Sequence, residues 1–372
     1  MNPAEIVDRL RLIRTESVGP ITYRRLMERF QTAEAALDAL PDLARAGGRT
    51  APLRIPHRAD AERELEKVQQ FGARLLWLGD PDYPTLLAQI ETAPPALTVM
   101  GDVAALNQRA VALVGGRNAS TNGKHMADLL AQDIAASGLV VVSGMARGID
   151  TAAHQGALRA GQTVAAIAGG IDVTYPEENR DLQRRVADGG AVVAEAPFGT
   201  APQARHFPRR NRVIAGLALG TIVIEAAPQS GSLITARLAG EMGRELFAVP
   251  GSPLDPRCRG SNDLIRGGAH LVESAADVLA IIGPRRLPLP EPAPAGVAEA
   301  SARYEGPPTD PERARRMILE NLGRDPTEVD DLIRRCQLST PAVVAALLEL
   351  ELGGQLEMLP GNKACLVGNG AP

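Results

Sequence analysis

At 372 residues the chain is long enough for two or three domains, with ample core for the largest. A net charge of −4 and a pI near 5.9 exclude a generally basic coat, so any nucleic-acid site must be a local patch. Cys258, Cys336 and Cys365 are far apart and lack metal-ligand spacing, which excludes a disulfide framework and fits the reducing cytoplasm. The N-terminus is charged from Glu5 onward, unlike a signal peptide, and no uncharged run reaches membrane-spanning length.

In chain order, residues 1–75 form a helical domain with Arg and Glu on its polar faces. Ile6, Leu10 and Ile13 make one apolar stripe, and Ser17-Val18-Gly19-Pro20 turns into a second helix over 21–30. Arg24, Arg25 and Arg29 lie on its polar side. Helix, glycine turn, helix is the shape of a helix-hairpin-helix element or of a plain packing module. Trp77 and the following Leu78-Gly79-Asp80-Pro81-Asp82-Tyr83-Pro84 read as a packed connector into the next domain.

Residues 76–283 carry short apolar runs at 110–114, 139–143, 163–167, 191–194, 221–224 and 246–249, separated by helical patterns. Runs without alternation, spaced by helices, indicate a parallel sheet covered on both faces. Ligands of such sheets bind beyond the carboxyl ends of the strands. Four motifs fall there. Gly115-Gly116-Arg117-Asn118-Ala119-Ser120 leads to a helix near 121–123, whose free N–H groups suit an anion, with Arg117 adding a fork. The spacing is neither Walker A nor GxGxxG, which disfavours ATP hydrolysis and dinucleotide binding. Ser143-Gly144-Met145-Ala146-Arg147-Gly148-Ile149-Asp150 precedes His154. A Ser/His/Asp triad is disfavoured by the flanks of Ser143, and Asp150 and His154 are spaced to bond each other on one helical face. Gly170-Ile171-Asp172 with Tyr175-Pro176 and Asn179 forms a third loop, suited to edge contacts with a nucleotide. Ser230-Gly231-Ser232 opens a helix and reads as a phosphate cradle or a plain serine cap, and Gly260-Ser261-Asn262 repeats the theme. Glu225 stands at a strand end without a carboxylate partner in sequence, and no His/Cys/Asp/Glu cluster has metal spacing.

The densest signal is Arg205-His206-Phe207-Pro208-Arg209-Arg210-Asn211-Arg212, with four arginines and no acid in eight residues. Clustered guanidinium groups repel unless an anion neutralises them. Their forks suit phosphate, and Phe207 suits a base. Only Lys67, Lys124 and Lys363 interrupt the arginine bias of the 40 basic residues, so a lone arginine means little but a cluster beside Phe and Asn means more. The alternative is a solvated helix start. On the anion reading, Arg210 and Arg212 serve the ligand and not the core.

Residues 284–311 are rich in Pro, Ala and Glu and read as a linker. In the domain 312–372, helices at 314–322, 327–334 and 339–352 precede a hairpin of 355–359 with 364–367, the outline of a winged helix with Ser339 as an N-cap. Its third helix holds Glu349 and Glu351 and no basic residue, and the segment has 9 acids against 7 bases. A reading helix needs basic or amide side chains, so protein contact or a structural role is expected ahead of duplex reading. If this domain is an accessory, a chain ended near Pro284 should keep both dimerisation and most single-strand affinity.

These motifs, with Phe207-Pro208-Arg209-Arg210-Asn211-Arg212, Glu225-Ala226, Ser230-Gly231-Ser232-Leu233-Ile234-Thr235-Ala236, Val249-Pro250-Gly251 and Gly260-Ser261-Asn262, resemble those of the bacterial DNA-processing protein A family, also called DprA or Smf. The resemblance spans nearly the whole chain. It implies an α/β fold: an extended Rossmann-like parallel sheet domain between an N-terminal helical domain (SAM or helix-hairpin-helix-like) and a C-terminal winged helix. It implies binding and protection of single-stranded DNA during natural transformation and recombination, loading of the RecA recombinase, and a homodimer through the Rossmann-like domain. It implies Arg117, Phe207, Arg209, Arg210 and Arg212 as DNA-binding residues; the motifs read by themselves add Ser120, Asn211, Ser230, Gly231 and Ser232, with Arg147, Asp172, Tyr175 and Asn262 as a secondary rim. No catalytic residue, metal or cofactor is expected. Gly220-Thr221 with Glu225 also resembles nucleotide phosphoribohydrolases, the enzyme alternative, although their Pro-Gly-Gly-x-Gly-Thr string is broken here to Leu217-Ala218-Leu219-Gly220-Thr221.

Overall fold

The computed structural model describes residues 2–283 and 310–367, so the linker expected at 284–311 lies almost wholly outside the described residues. The chain divides into two units: Met1–Arg63 with Pro288–Pro372, and Glu64–Leu287. The first unit opens with α1 (Pro3–Arg14), α2 (Pro20–Phe30) and α3 (Ala33–Ala46). Caps set their starts. Asn2 accepts from the Ala4 N–H, Pro20 occupies the first turn of α2, and the Thr32 hydroxyl accepts from Ala35. Their apolar stripes meet in a core of Leu12, Tyr23, Leu26, Leu37 and Leu40. Helix α4 (Arg58–Gln70) follows.

The second unit is built on a nine-stranded sheet in the order β1-β2-β6-β5-β4-β3-β7-β8-β9. Its first elements are β1 (Arg74–Trp77), the short α5 (Thr85–Ala88) and β2 (Ala96–Gly101). Thus Trp77 ends an edge strand and is no connector. β1 pairs antiparallel with β2 (Leu76 opposite Leu97), and β2 pairs antiparallel with β6. The rest is parallel: β3 (Ala110–Gly115), α6 (Thr121–Ala136), β4 (Val140–Ser143), α7 (Ile149–Ala157), β5 (Thr163–Ile167), α8 (Arg180–Asp188), β6 (Gly190–Ala194), α9 (His206–Leu217), β7 (Gly220–Ile224), α10 (Gly231–Glu241), β8 (Glu245–Ala248), α11 (Arg259–Arg266), β9 (His270–Leu271) and α12 (Ala275–Ile282). The strand period of two splits β3 between two cores. Ala110, Ala112 and Val114 face Val213, Ile214 and Leu217 of α9, while Val111 and Leu113 face Leu130, Ile134 and Ile149 on the other side. A sheet buried on both faces explains why these strands read as continuous apolar runs.

The chain then returns to the first unit with α13 (Pro311–Asn321), β10 (Thr327–Glu328), α14 (Val329–Cys336), α15 (Thr340–Leu352), β11 (Leu356–Leu359) and β12 (Lys363–Leu366). The small sheet runs β10-β12-β11, giving three helices and a wing. The helix expected at 327–334 begins two residues later, because Thr327 and Glu328 pair with Ala364 and Lys363. Ser339 holds the N-cap position of α15, but its side chain makes no capping bond.

Candidate nucleic-acid interface

Strand β3 lies between β4 and β7, and the chain leaves it in one direction and returns on the other side. Such a switch point opens a crevice beyond the strand ends. Here it is a cleft of about 900 Å³, walled by the loops after β3, β4 and β7, by the start of α9, and by Tyr175, Pro202, Ala204 and Arg257.

At its mouth the Phe207 ring is half-buried. The Arg117 guanidinium carbon sits 4.7 Å from the ring centroid, and Tyr175 meets the ring edge-on at 5.8 Å. Tyr175 is 53% exposed. Arg117 is exposed and forms no ion pair among the described residues; its guanidinium rests on an aromatic face, with the buried Asp150 as a weaker, more distant attraction. Arg205 and Arg209 are likewise exposed without an ion pair among the described residues, but neither lines the cleft. Their charges, with burial as the larger cause, lower the His206 pKa.

Arg210 and Arg212 depart from expectation, since both guanidinium groups serve the fold. Arg210 is 7% exposed and forms part of the cleft floor. Its Nη1 donates to the carbonyls of Gly144 and, at 2.7 Å, Ala166, and its Nε donates to Asn211 Oδ1 at 3.3 Å. Gly144 is required there, because a Cβ would stand 2.2 Å from Arg210 Nη1. Burial pulls the Arg210 pKa down to about 10 and pushes that of Asp150 up, and each ion's attraction for the other opposes its own shift. Arg212 makes a bidentate pair with Glu195 at 2.5 and 2.7 Å. The helical period of α9 turns these residues inward beside Val213 and Ile214.

The anion position expected at the start of α6 is filled by the protein's own carboxylate. Glu225 accepts from the Ser120 N–H at 2.7 Å and from the Ser120 hydroxyl, which in turn caps Gly123. The helix N-terminus favours negative charge, and Gly123 leaves the room, since a Cβ would lie 2.4 Å from the Glu225 carboxyl carbon. Ser120 therefore positions the loop that carries Arg117. Glu225, with φ of +49°, is a brace rather than a free acid.

Across the cleft Ser230 caps α10 and bonds Ser232 at 2.7 Å, while the Gly231 N–H finds no acceptor among the described residues. Asn211 donates to the Gly231 carbonyl at 3.2 Å and so ties α9 to α10. The cleft thus gathers Arg117, Tyr175, Phe207, Arg210, Asn211, Ser230, Gly231 and Ser232. Three of the secondary rim residues stand apart and hold loops: Asp172 accepts from Gly199 at 2.7 Å, Asn262 clamps both backbone groups of Gly251, and the exposed Arg147 pairs with Glu178 at 2.9 Å. Sequence reasoning missed Pro202, Ala204 and Arg257 in the lining. The proline-rich loop just after Pro250-Gly251 was the available signal for Arg257.

No hydrolytic triad is assembled. Ser143 donates to the Leu113 carbonyl at 2.7 Å. His154 bonds Thr163 at 2.8 Å, not Asp150 as its spacing suggested, and is fully buried. Thr163 donates onward to Val141, so the His154 Nδ1 carries the proton and Nε2 is a bare, unpartnered acceptor. Burial, aided by the Arg210 charge, lowers the His154 pKa to about 3. The unfolded chain takes up this proton near pH 6.5, so stability is full above that pH and is lost as pH falls toward the folded value. By pH 5 the loss reaches about 2 kcal/mol. Urea unfolding at pH 7.5 and pH 5 tests this. The native midpoint should fall, and His154→Gln should remove most of the difference. An equal fall in both would assign the acid sensitivity elsewhere.

A family model described as DNA recombination-mediator protein A matches residues 74–283. Models described as a DprA-like N-terminal HHH domain and a DprA winged helix domain match residues 3–66 and 302–362. Protein Smf of Synechocystis is 32% identical over 381 residues, covering 94% of this chain and 95% of that protein. The X-ray structure of DNA processing protein A from Streptococcus pneumoniae superposes with a TM-score of 0.63 at 36% identity, covering 73% of this chain and 95% of that one. A structure of DNA processing protein A from Helicobacter pylori, described by its single-stranded DNA binding mode, gives 0.52 at 27% identity, covering 56% and 95%.

Proposed function

Since the chain belongs to the DNA recombination-mediator protein A family (DprA or Smf), we propose that it binds single-stranded DNA in the cleft between β3 and β7. The carrying observation is Arg117, a guanidinium without an ion pair among the described residues, lying on the half-buried Phe207 ring, which the exposed Tyr175 meets edge-on at the cleft mouth. A charge for phosphate beside a ring for a base is the recurring chemistry of single-strand binders. The Gly231 N–H and the hydroxyls of Ser230 and Ser232 supply further donors. A guanidinium on phosphate and a ring stacked on a base select no sequence, so binding is sequence-tolerant. The role is non-catalytic: Glu225, the acid an enzyme reading would use, is engaged by Ser120. The Helicobacter pylori relative supports the ligand class. Protection of incoming strands, loading of RecA, a homodimer through the sheet unit and a cytoplasmic setting complete the proposal. No helix among the described residues is long and apolar enough to cross a membrane.

Competition between labelled oligothymidine and an unlabelled blunt duplex tests the ligand class. Single strand should displace the label at far lower concentration than duplex. Equal displacement would remove the single-strand preference.

A further inference from the structure

Helix α15 reads Thr-Pro-Ala-Val-Val-Ala-Ala-Leu-Leu-Glu-Leu-Glu-Leu and is apolar on every side. A helix apolar all round is buried all round. Of its residues only Thr340 and Pro341 are exposed. One face, with Val343, Leu347 and Leu350, packs into the winged-helix core against Ile318 and Leu332. Leu348 and Leu352 enter a different core, that of Leu12, Leu26, Leu37 and Leu40 from α1, α2 and α3.

The backbones also meet. A Cβ on Gly47, just past α3, would stand 1.7 Å from the Glu349 carbonyl oxygen, and one on Gly353 would stand 2.1 Å from the Gly47 carbonyl oxygen. Gln355 Nε2 donates to that same Gly47 carbonyl at 2.7 Å. The two acids of α15 are turned to internal use. Glu349 pairs with Arg315 of α13. Glu351 accepts from the Met358 N–H at 3.3 Å, and burial raises its pKa against the attraction of Arg25 on α2. A DNA-reading helix presents basic or amide side chains on an open face. Helix α15 has no such side chain, and only Thr340 and Pro341 at its start are exposed.

We propose that the N- and C-terminal segments form one composite domain with α15 as their shared helix, and that the winged helix clamps the N-terminal helices instead of reading duplex DNA. The sheet unit is then an insertion between the two halves of that domain in the sequence. This inference is independent of the single-strand reading of the cleft. Its consequence for truncation is direct. Ending the chain near residue 284 strips Leu348 and Leu352 from the core of α1–α3, so the expectation of a dispensable C-terminal accessory changes.

Hydrogen exchange on the full chain tests the proposal. Gly47→Leu drives a side chain into the backbone of Glu349 and Gly353, across the contact between the two halves. Amides of α3 and α15 should then exchange faster together, by at least about tenfold, as one cooperative unit. Those of β3 and β7 should not change. A rise confined to α3, or no rise, overturns the composite domain. If Gly47→Leu fails to fold, Gln355→Ala, which removes only the bond to Gly47, should give a smaller rise shared by the same two helices; a rise in one alone overturns it equally. Titration with a short blunt duplex completes the test. Neither variant should gain duplex affinity over the native chain. A gain of about tenfold on opening the contact would make α15 a masked reading helix and overturn the proposal.

Discussion

Arg210→Ala should cost about 3–5 kcal/mol of stability, because removing one partner of a buried pair strands the other. The truncation leaves the Gly144 and Ala166 carbonyls without their donor and Asp150 without its nearest buried cation. Arg210→Lys should recover little, since one ammonium cannot reproduce the fork that reaches two carbonyls and Asn211. Arg209→Ala, one residue earlier and exposed, should stay within about 0.5 kcal/mol of the native protein. Urea unfolding of the three variants separates the roles. A stable Arg210→Ala with reduced DNA affinity would return Arg210 to the ligand.

The second large effect is on binding. Phe207→Ala should weaken oligothymidine binding by about 1–3 kcal/mol if its ring stacks on a base. Melting should change little, because the ring is half-exposed and rests on Arg117 and Tyr175 rather than in a core cluster. Arg117→Ala should weaken binding as well. The double variant should lose less than the sum, since the guanidinium lies on the ring it would share with the ligand. Strict additivity would mean that the two act at separate places. A melting loss in proportion to the binding loss would assign Phe207 to the core.

Much of the fold was legible because a two-sided sheet writes continuous apolar runs, as at 110–114 and 163–167. The antiparallel edge was not. Arg74-Leu75-Leu76-Trp77 is a strand of only four residues that opens on a charge, and its partner β2 begins directly after Pro94-Pro95, which reads as a turn. The site was legible as a cluster but not as an orientation. Arginine density at 205–212 marked a helix whose start lines the cleft, yet which guanidinium groups turn inward depends on partners far away in sequence. Glu195 takes Arg212 from 17 residues back, and Gly144 takes Arg210 from 66. The Glu225 brace on Ser120 spans 105 residues, so the helix start that looked like a phosphate site had an occupant no local motif reveals. Arg117 and Phe207 lie far apart in the chain, and the topology of the switch point brings them together.

The account rests on the Arg117 charge meeting a phosphate of single-stranded DNA in the cleft. Titrating labelled oligothymidine at several salt concentrations, with the native chain and with Arg117→Ala, measures that contact. Each phosphate neutralised contributes about −0.7 to the slope of log affinity against log salt. The variant should bind more weakly, with a slope shallower by about 0.7. Weaker binding with an unchanged slope, or an affinity independent of salt in the native chain, would contradict the account.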